Sequence, residues 1–159
     1  MSTKQITLIV QTDNQELKAL YRDLVPAYNN SAGIDLFIPE QTTFNPGVTI
    51  LDHQIRIQIV DSDRVLGNIQ DLHFLIVPRS SLYKHGLLLM NSIGVIDKDY
   101  RGTIKGIFFN PSDKEIVVDK HARLLQVICP LIFQVDNYVV KEHLTKTLRS
   151  ENGLGSTGE

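Results

Sequence analysis

Apolar positions along this chain come in short stretches separated by turn residues. The clearest is Gln54-Ile55-Arg56-Ile57-Gln58-Ile59, which alternates polar and apolar with the period of a half-buried strand. Similar stretches predict strands at Ile6–Val10, Ile34–Phe37, Val48–Leu51, Leu72–Val77, Leu87–Met90, Thr103–Phe109, Ile116–Val118 and Leu124–Leu131. Frequent punctuation lies between them, such as Asn45-Pro46-Gly47, the run Asp97–Gly102 and Asn110-Pro111-Ser112-Asp113. Many short strands at this spacing predict an all-β sandwich or barrel. An amphipathic helix has room only in the second half of the N-terminal region. A short helix is expected at Ser80–Lys84, after Pro78 and before Gly86. The segment Asp61–Gly67 reads as a surface excursion. The last stretch, Arg149–Glu159, has three glycines, two serines and a threonine and little to pack, which predicts a mobile tail.

The composition narrows the classes of function. The 159 residues fit one domain, and 42% hydrophobic against 21% charged residues is enough to build a core. A net charge of −2 gives no bulk attraction to nucleic acid polymers or acidic membranes, so a polyanionic partner must be held by a local site. Cys129 is the single cysteine, which rules out a disulfide within the chain and reads as a small buried hydrophobe. A reducing, intracellular setting, cytoplasmic or nuclear, is the expectation. No apolar run reaches the ~20 residues that span a bilayer. The first thirteen residues mix polar and apolar types without a signal-peptide pattern, so the Asn29-Asn30-Ser31 sequon is discounted.

Three segments carry more chemistry than a fold requires. In Pro78-Arg79-Ser80-Ser81-Leu82 two hydroxyls and a guanidinium stand at a predicted helix start, a combination suited to a phosphate. On its own it reads equally as serine capping. In Asn91–Gly102, apolar residues lead into an Asp97-Lys98-Asp99 turn and out into another strand. Such a hairpin can offer backbone groups to a planar ligand and a carboxylate that orients a water as general base, although turn aspartates are common without any such role. In Gly153-Leu154-Gly155-Ser156-Thr157-Gly158, glycines and hydroxyls suit the wrapping of phosphates, or simply a disordered end. The histidines at 53, 73, 85, 121 and 143 show no metal-ligand spacing.

Taken in order, these segments and two more resemble the five motifs of the trimeric dUTPase family. Ser31-Ala32-Gly33-Ile34-Asp35-Leu36 is similar to the first, A-G-x-D-L, and Pro78–Leu82 to the second, P-R-S-x-L. Gly94–Gly102 matches the third and most specific, G-x-I-D-x-D-Y-x-G, and Arg123-Leu124-Leu125-Gln126 the fourth, R-x-x-Q. Arg149 with Gly153–Gly158 resembles the fifth. The resemblance implies a distorted β-barrel or jelly-roll-like domain over residues 1–148 with one short helix, and a flexible C-terminal arm over 149–159. It implies hydrolysis of dUTP to dUMP and pyrophosphate with Mg2+, in a homotrimer with shared sites and without nucleic acid polymer or membrane as partner.

By the same resemblance Asp97 is the general base. Asn91, Gly94 and Ile96 face the uracil edge, and Tyr100 packs against the deoxyribose. Arg79, Ser80, Ser81 and Gln126 hold phosphates, and Asp35 reaches the metal through water. Arg149, Ser156 and Thr157 close over the nucleotide. The sequence departs from the family pattern at Ser81, Ser150 and Asn152, where glycine is usual, and at Leu154, where a phenylalanine usually stacks on the base. Two rivals are a dCTP deaminase, which shares the R-S-S-L motif, and a non-enzymatic regulator on the same fold. The deaminase expects a glutamate where this chain has Ile107. The intact Asp97 and Tyr100 argue against the regulator.

Overall fold

The structure is a computed structural model that describes residues 4–24, 32–63, 69–129, 137–147 and 150–151. Among these residues the chain is mostly strand, with one α-helix. The first sheet has the order β13-β1-β5-β6, from Asn137–Val140, Lys4–Gln11, Arg56–Asp63 and Ile69–Leu72. The second has the order β2-β12-β7-β9, from Gly33–Phe37, Arg123–Ile128, Phe74–Pro78 and Gly94–Ile96. The third has the order β4-β10-β8, from Gly47–Asp52, Lys105–Asn110 and Leu88–Leu89. A small pair joins β3, Thr42–Phe44, to β11, Ile116–Val118. Hydrogen bonding thus forms separate sheets, and no closed barrel is found among the described residues.

The predicted alternation decides which faces meet. In β12, Leu124, Leu125 and Val127 point into the core while Gln126 and Ile128 stand on the other face, and Arg123 is exposed. A register shift between Arg123 and Leu125 lets two consecutive leucines be buried. Phe44 and Phe108 meet edge to face in the core, with centroids 5.2 Å apart. The buried Asn110 organises the turn that its Pro111-Ser112 neighbours predict. Its amide nitrogen donates to the carbonyls of Phe44 (2.9 Å) and Lys114 (2.7 Å), and its oxygen accepts from the Ser112 amide and hydroxyl.

One local expectation holds and two need correction. The α-helix, α1, lies at Gln15–Arg22, inside the region where the pattern left room for one. The Asn14 side chain caps it by accepting from the Glu16 and Leu17 amides, and Leu17 and Tyr21, four apart, bury one stripe. The helix expected at Ser80–Lys84 is a single 3-10 turn over Leu82–His85, closed by Gly86 at φ 70°. The single strand expected over Leu72–Val77 is two strands, β6 and β7, in different sheets, with His73 at the break.

The third sheet has a feature that short alternating strands do not explain by themselves. Its inner face buries Leu51, Phe108 and Leu89, while its outer face is also apolar. Val48, Ile50, Leu88 and Met90 are each more than half exposed, with Ile107 and Phe109 between them on β10.

His53 is fully buried. Its Nδ1–H donates to the Phe37 carbonyl (3.0 Å), and its Nε2 has no hydrogen-bond partner among the described residues. Burial holds its pKa below the ordinary value of 6.5, because the charged ring would sit in apolar surroundings. The unfolded chain therefore binds the proton first. Stability is at its full value above pH ~6.5 and falls, by at most about 1.4 kcal/mol per pH unit, as the pH drops from there toward the lowered folded-state pKa. Denaturant titrations at pH 7.5 and 5.5 are expected to show this loss, and a folded His53→Leu protein is expected to lose most of the difference.

Candidate active site

Two groups of motif residues lie at the two ends of strand β7. At its C-terminal end Pro78 pairs with Leu125 of β12, and the Arg79 amide donates to the Leu124 carbonyl at 2.9 Å. This aims Arg79 across β12 toward β2. There its Nε lies 2.6 Å from Asp35 Oδ1, while Arg123 Nη1 lies 2.9 Å from Asp35 Oδ2. One half-buried carboxylate thus holds two guanidinium groups side by side and leaves a net charge of +1. Arg79 Nη1 also donates to the Arg123 carbonyl at 3.1 Å and reaches Ser81 Oγ at 3.5 Å. Ser81 makes no capping bond, so the capping explanation of this segment does not hold for it. Ser80 is exposed beside it.

Gln126 stands on the same face, directly opposite Asp35, and its Nε2 donates to the Pro78 carbonyl at 3.2 Å. Gly33 makes this possible, because a Cβ there would lie 2.2 Å from Gln126 Oε1. The glycine of the first motif is therefore a clearance for the glutamine of the fourth.

At the N-terminal end of β7, Phe74 pairs with Ile96 of β9, which delivers Asp97 beside His73. The Lys98 amide donates to His73 Nδ1 at 3.2 Å, and Asp97 Oδ1 lies 3.5 Å from the same nitrogen. Both contacts fall on one ring nitrogen of His73, which packs the ring against the start of the turn. The Tyr100 amide closes the turn onto the Asp97 carbonyl at 3.0 Å. The Tyr100 hydroxyl donates to the Thr103 carbonyl at 2.9 Å and lies so close over Gly102 that a Cβ there would sit 2.3 Å from it. Burial is the leading reason that this hydroxyl holds its proton above the ordinary tyrosine range.

The segment expected to be a hairpin is arranged differently. β9 pairs with β7, and β10 pairs with β4 and β8, so the strands on either side of the Asp97 turn belong to different sheets. Asn91 lies in the loop from β8 to β9, with its Nδ2 3.7 Å from the Cβ position of Gly94, which packs over Ile76.

The sequence-identified residues fall into two groups. Asp35, Arg79, Ser80, Ser81 and Gln126 gather at one end of β7. Asp97, Tyr100, Asn91, Gly94 and Ile96 gather around β9. Six steps of extended chain separate His73 from Arg79, which flank β7, and place the two groups about 20 Å apart. Arg149, Leu154, Ser156 and Thr157 lie outside the described residues, as does Ser31 of the first motif. Ser150, where glycine is usual, takes the left-handed conformation at φ 51°. Sequence reasoning missed Arg123 as a functional side chain, although it opens the fourth motif, and it missed His73 and Arg101 beside the Asp97 turn. Among the described residues no group of three His, Cys, Asp or Glu side chains is placed to hold a metal ion. Among them, too, no helix is long and apolar enough to cross a membrane.

Known proteins match the chain along most of its length. A deoxyuridine 5′-triphosphate nucleotidohydrolase of Burkholderia cenocepacia is 34% identical over 155 residues, 94% of this chain and 99% of that protein. One from Clostridium novyi is 37% identical over 136 residues, covering 83% and 87%. The crystal structure of dUTPase from Streptococcus mutans superposes with a TM-score of 0.53 at 26% identity, over 65% of this chain and 80% of that one. The sequence model of the dUTPase family matches residues 21–158. With five motifs in order, and with the first four setting an arginine pair against Asp35 and a turn that presents Asp97, the chain belongs to the dUTPase family.

Proposed function

We propose that the chain hydrolyses dUTP to dUMP and pyrophosphate in a homotrimer whose sites are pooled between subunits, with Asp97 as the general base. The observation that carries the pooled site is the placement of the arginine cradle and Asp97 at opposite ends of β7, about 20 Å apart. A general base must come within hydrogen-bond reach of the attacking water at the α-phosphorus, while the cradle holds the same triphosphate. A cradle from one subunit and an Asp97 turn from another meet that requirement.

In this reading the Asp97 carboxylate accepts a proton from a water as its oxygen bonds to the α-phosphorus. The bond from that phosphorus to the bridging oxygen breaks, and pyrophosphate leaves. Arg79, Ser80, Ser81 and Gln126 hold the phosphates, and Arg123 joins them through Asp35. Asn91 and the backbone at Gly94 and Ile96 meet the base edge. The face of Tyr100 packs on the sugar, where a 2′-hydroxyl would be crowded and unpaired. Arg149, Ser156 and Thr157 close on the phosphates, and Leu154 covers the base by apolar contact.

A single carboxylate among cations and hydroxyls does not fit a metal held by the protein alone. It would suit a magnesium carried in on the triphosphate, which Asp35 would help to hold and which would neutralise charge on the phosphates. The deaminase alternative finds no carboxylate on β10, where Ile107 lies opposite Ile50 in the apolar outer face. That face supports self-association, since six apolar side chains on one small sheet form a patch of the kind that marks protein contacts.

Three outcomes are expected. Asp97→Asn keeps the shape of the side chain but cannot accept the proton, so kcat for dUTP falls by about a hundredfold or more while an unreactive analogue still binds. Near-normal turnover would remove Asp97 from the role of base. Refolding a mixture of inactive Asp97→Asn and inactive Arg79→Ala chains restores activity that neither has alone, because some sites then combine an intact base with an intact cradle. Failure of a mixed, correctly assembled oligomer to regain activity would place each site within one chain. Phe109→Lys sets a cation in the apolar outer face and is expected to give a smaller, inactive species by sedimentation. An unchanged mass would move the contact elsewhere.

A further inference from the structure

Arg101 follows Tyr100 in the third motif at a position that the motif leaves open. It is only 6% exposed, yet its side chain is cationic. Every N–H of its guanidinium is directed at a protein oxygen. Nη1 donates to the carbonyls of Lys98 (2.7 Å) and Tyr100 (3.0 Å), inside the turn that carries Asp97. Nη2 donates to Asp71 Oδ2 of β6 (2.6 Å) and to Thr145 Oγ1 (3.1 Å), and Nε donates to the Thr145 carbonyl (2.7 Å). The Arg101 amide donates to the Ser150 carbonyl at 2.6 Å.

The partners are themselves held. Gln58, nearly fully buried on β5, donates from Nε2 to Asp71 Oδ1 and to Thr145 Oγ1, each at 2.8 Å, and its oxygen accepts from the Thr145 amide at 3.3 Å. A second link runs beside the first. The Thr147 hydroxyl donates to the Asp99 carbonyl at 2.5 Å and accepts from the Ser150 amide at 3.1 Å. The turn Asp97–Arg101 is thus tied at four of its backbone groups, either to Thr147 and Ser150 or through Arg101 to Asp71 and Thr145.

We propose that Arg101 is a positioning residue for dUTP hydrolysis, clamping the Asp97–Tyr100 turn against Asp71 of β6 and against Thr145. The proposal rests on the hydrolase reading above. Arg101 lies within the turn, while the arginine cradle is at the far end of β7, so Arg101 acts on the placement of the base and of the Tyr100 ring rather than on phosphate capture. Charge alone does not suffice for this. A lysine keeps the pairing with Asp71, but it lacks the planar fork that reaches Lys98, Tyr100 and Thr145 together.

The test compares the wild-type chain with Arg101→Lys and with the milder Thr145→Val, which keeps the carbonyl but removes the hydroxyl shared by Arg101 and Gln58. Rates are taken per folded protein. Arg101→Lys is expected to lower kcat for dUTP about tenfold to a hundredfold, because a small misplacement of reacting groups costs that much, with KM little changed. Thr145→Val is expected to shift kcat the same way by less. Amide hydrogen exchange at residues 98–101 is expected to speed up in both variants while exchange in β7 stays unchanged. If kcat per folded protein is unchanged, or KM rises in its place, Arg101 is no positioning residue. If exchange rises uniformly, its role is general stability and the proposal also falls. Should the wild-type chain release no pyrophosphate from dUTP, the hydrolase reading fails by itself, and the exchange pattern still decides whether Arg101 clamps the turn.

Discussion

Strand β7 is the constraint on which the catalytic geometry depends. It pairs antiparallel with β12 on one edge and with β9 on the other. Pairing with β12 brings Arg79 and Gln126 onto one face with Asp35, and pairing with β9 sends Asp97 out at the opposite end. A strand is stiff and rises by a set length per residue, so neither group can shift toward the other without breaking a ladder of backbone bonds. The separation is therefore a property of the fold, and it is the reason for proposing that sites are pooled between chains.

The third sheet is apolar on both of its faces. In the third sheet the inner face satisfies the core through Leu51, Leu89 and Phe108, and the outer face repeats the apolar character with Val48, Ile50, Leu88 and Phe109. Burying such a face contributes about 25 cal/mol per Å2, a gain that a single chain leaves unused. The chain's small net charge offers little long-range repulsion against it.

Around the Asp97 turn the organising principle changes from apolar packing to a closed polar network. A buried guanidinium without partners would be strongly destabilising, whereas Arg101 has an acceptor for each N–H and a carboxylate, Asp71, that is itself held by Gln58. Such a network is directional where hydrophobic contact is not. It suits a turn that must hold a carboxylate and an aromatic ring in set positions. The cradle at the other end works on the same logic in a more exposed setting, with Asp35 spacing Arg79 and Arg123.

Much of this was legible in the sequence because it depends on neighbours along the chain. Alternation located β1, β2, β4, β5, β10, β11 and β12, the Asn110 turn followed from its composition, and five motifs in order identified the family and its reaction. The helix at Gln15–Arg22 was harder to read, since its apolar stripe among the described residues is only Leu17 and Tyr21 with partial help from Leu20. The break at His73 was invisible, because Leu72, the last residue of β6, leads directly into the apolar stretch of β7, and the two strands diverge only by joining different sheets. The supposed hairpin failed for the same reason, as β9 and β10 found other partners. Arg123 and Arg101 gained their roles from Asp35, Asp71 and Thr145, which are distant in sequence. The sequence by itself determined the strand content, the motifs and hence the chemistry, since periodicity and residue type are local. Only the tertiary structure decided which strands pair, that Arg79 and Asp97 stand at opposite ends of β7, and which buried arginine bonds to the Asp97 turn, because those outcomes depend on partners that no local pattern names.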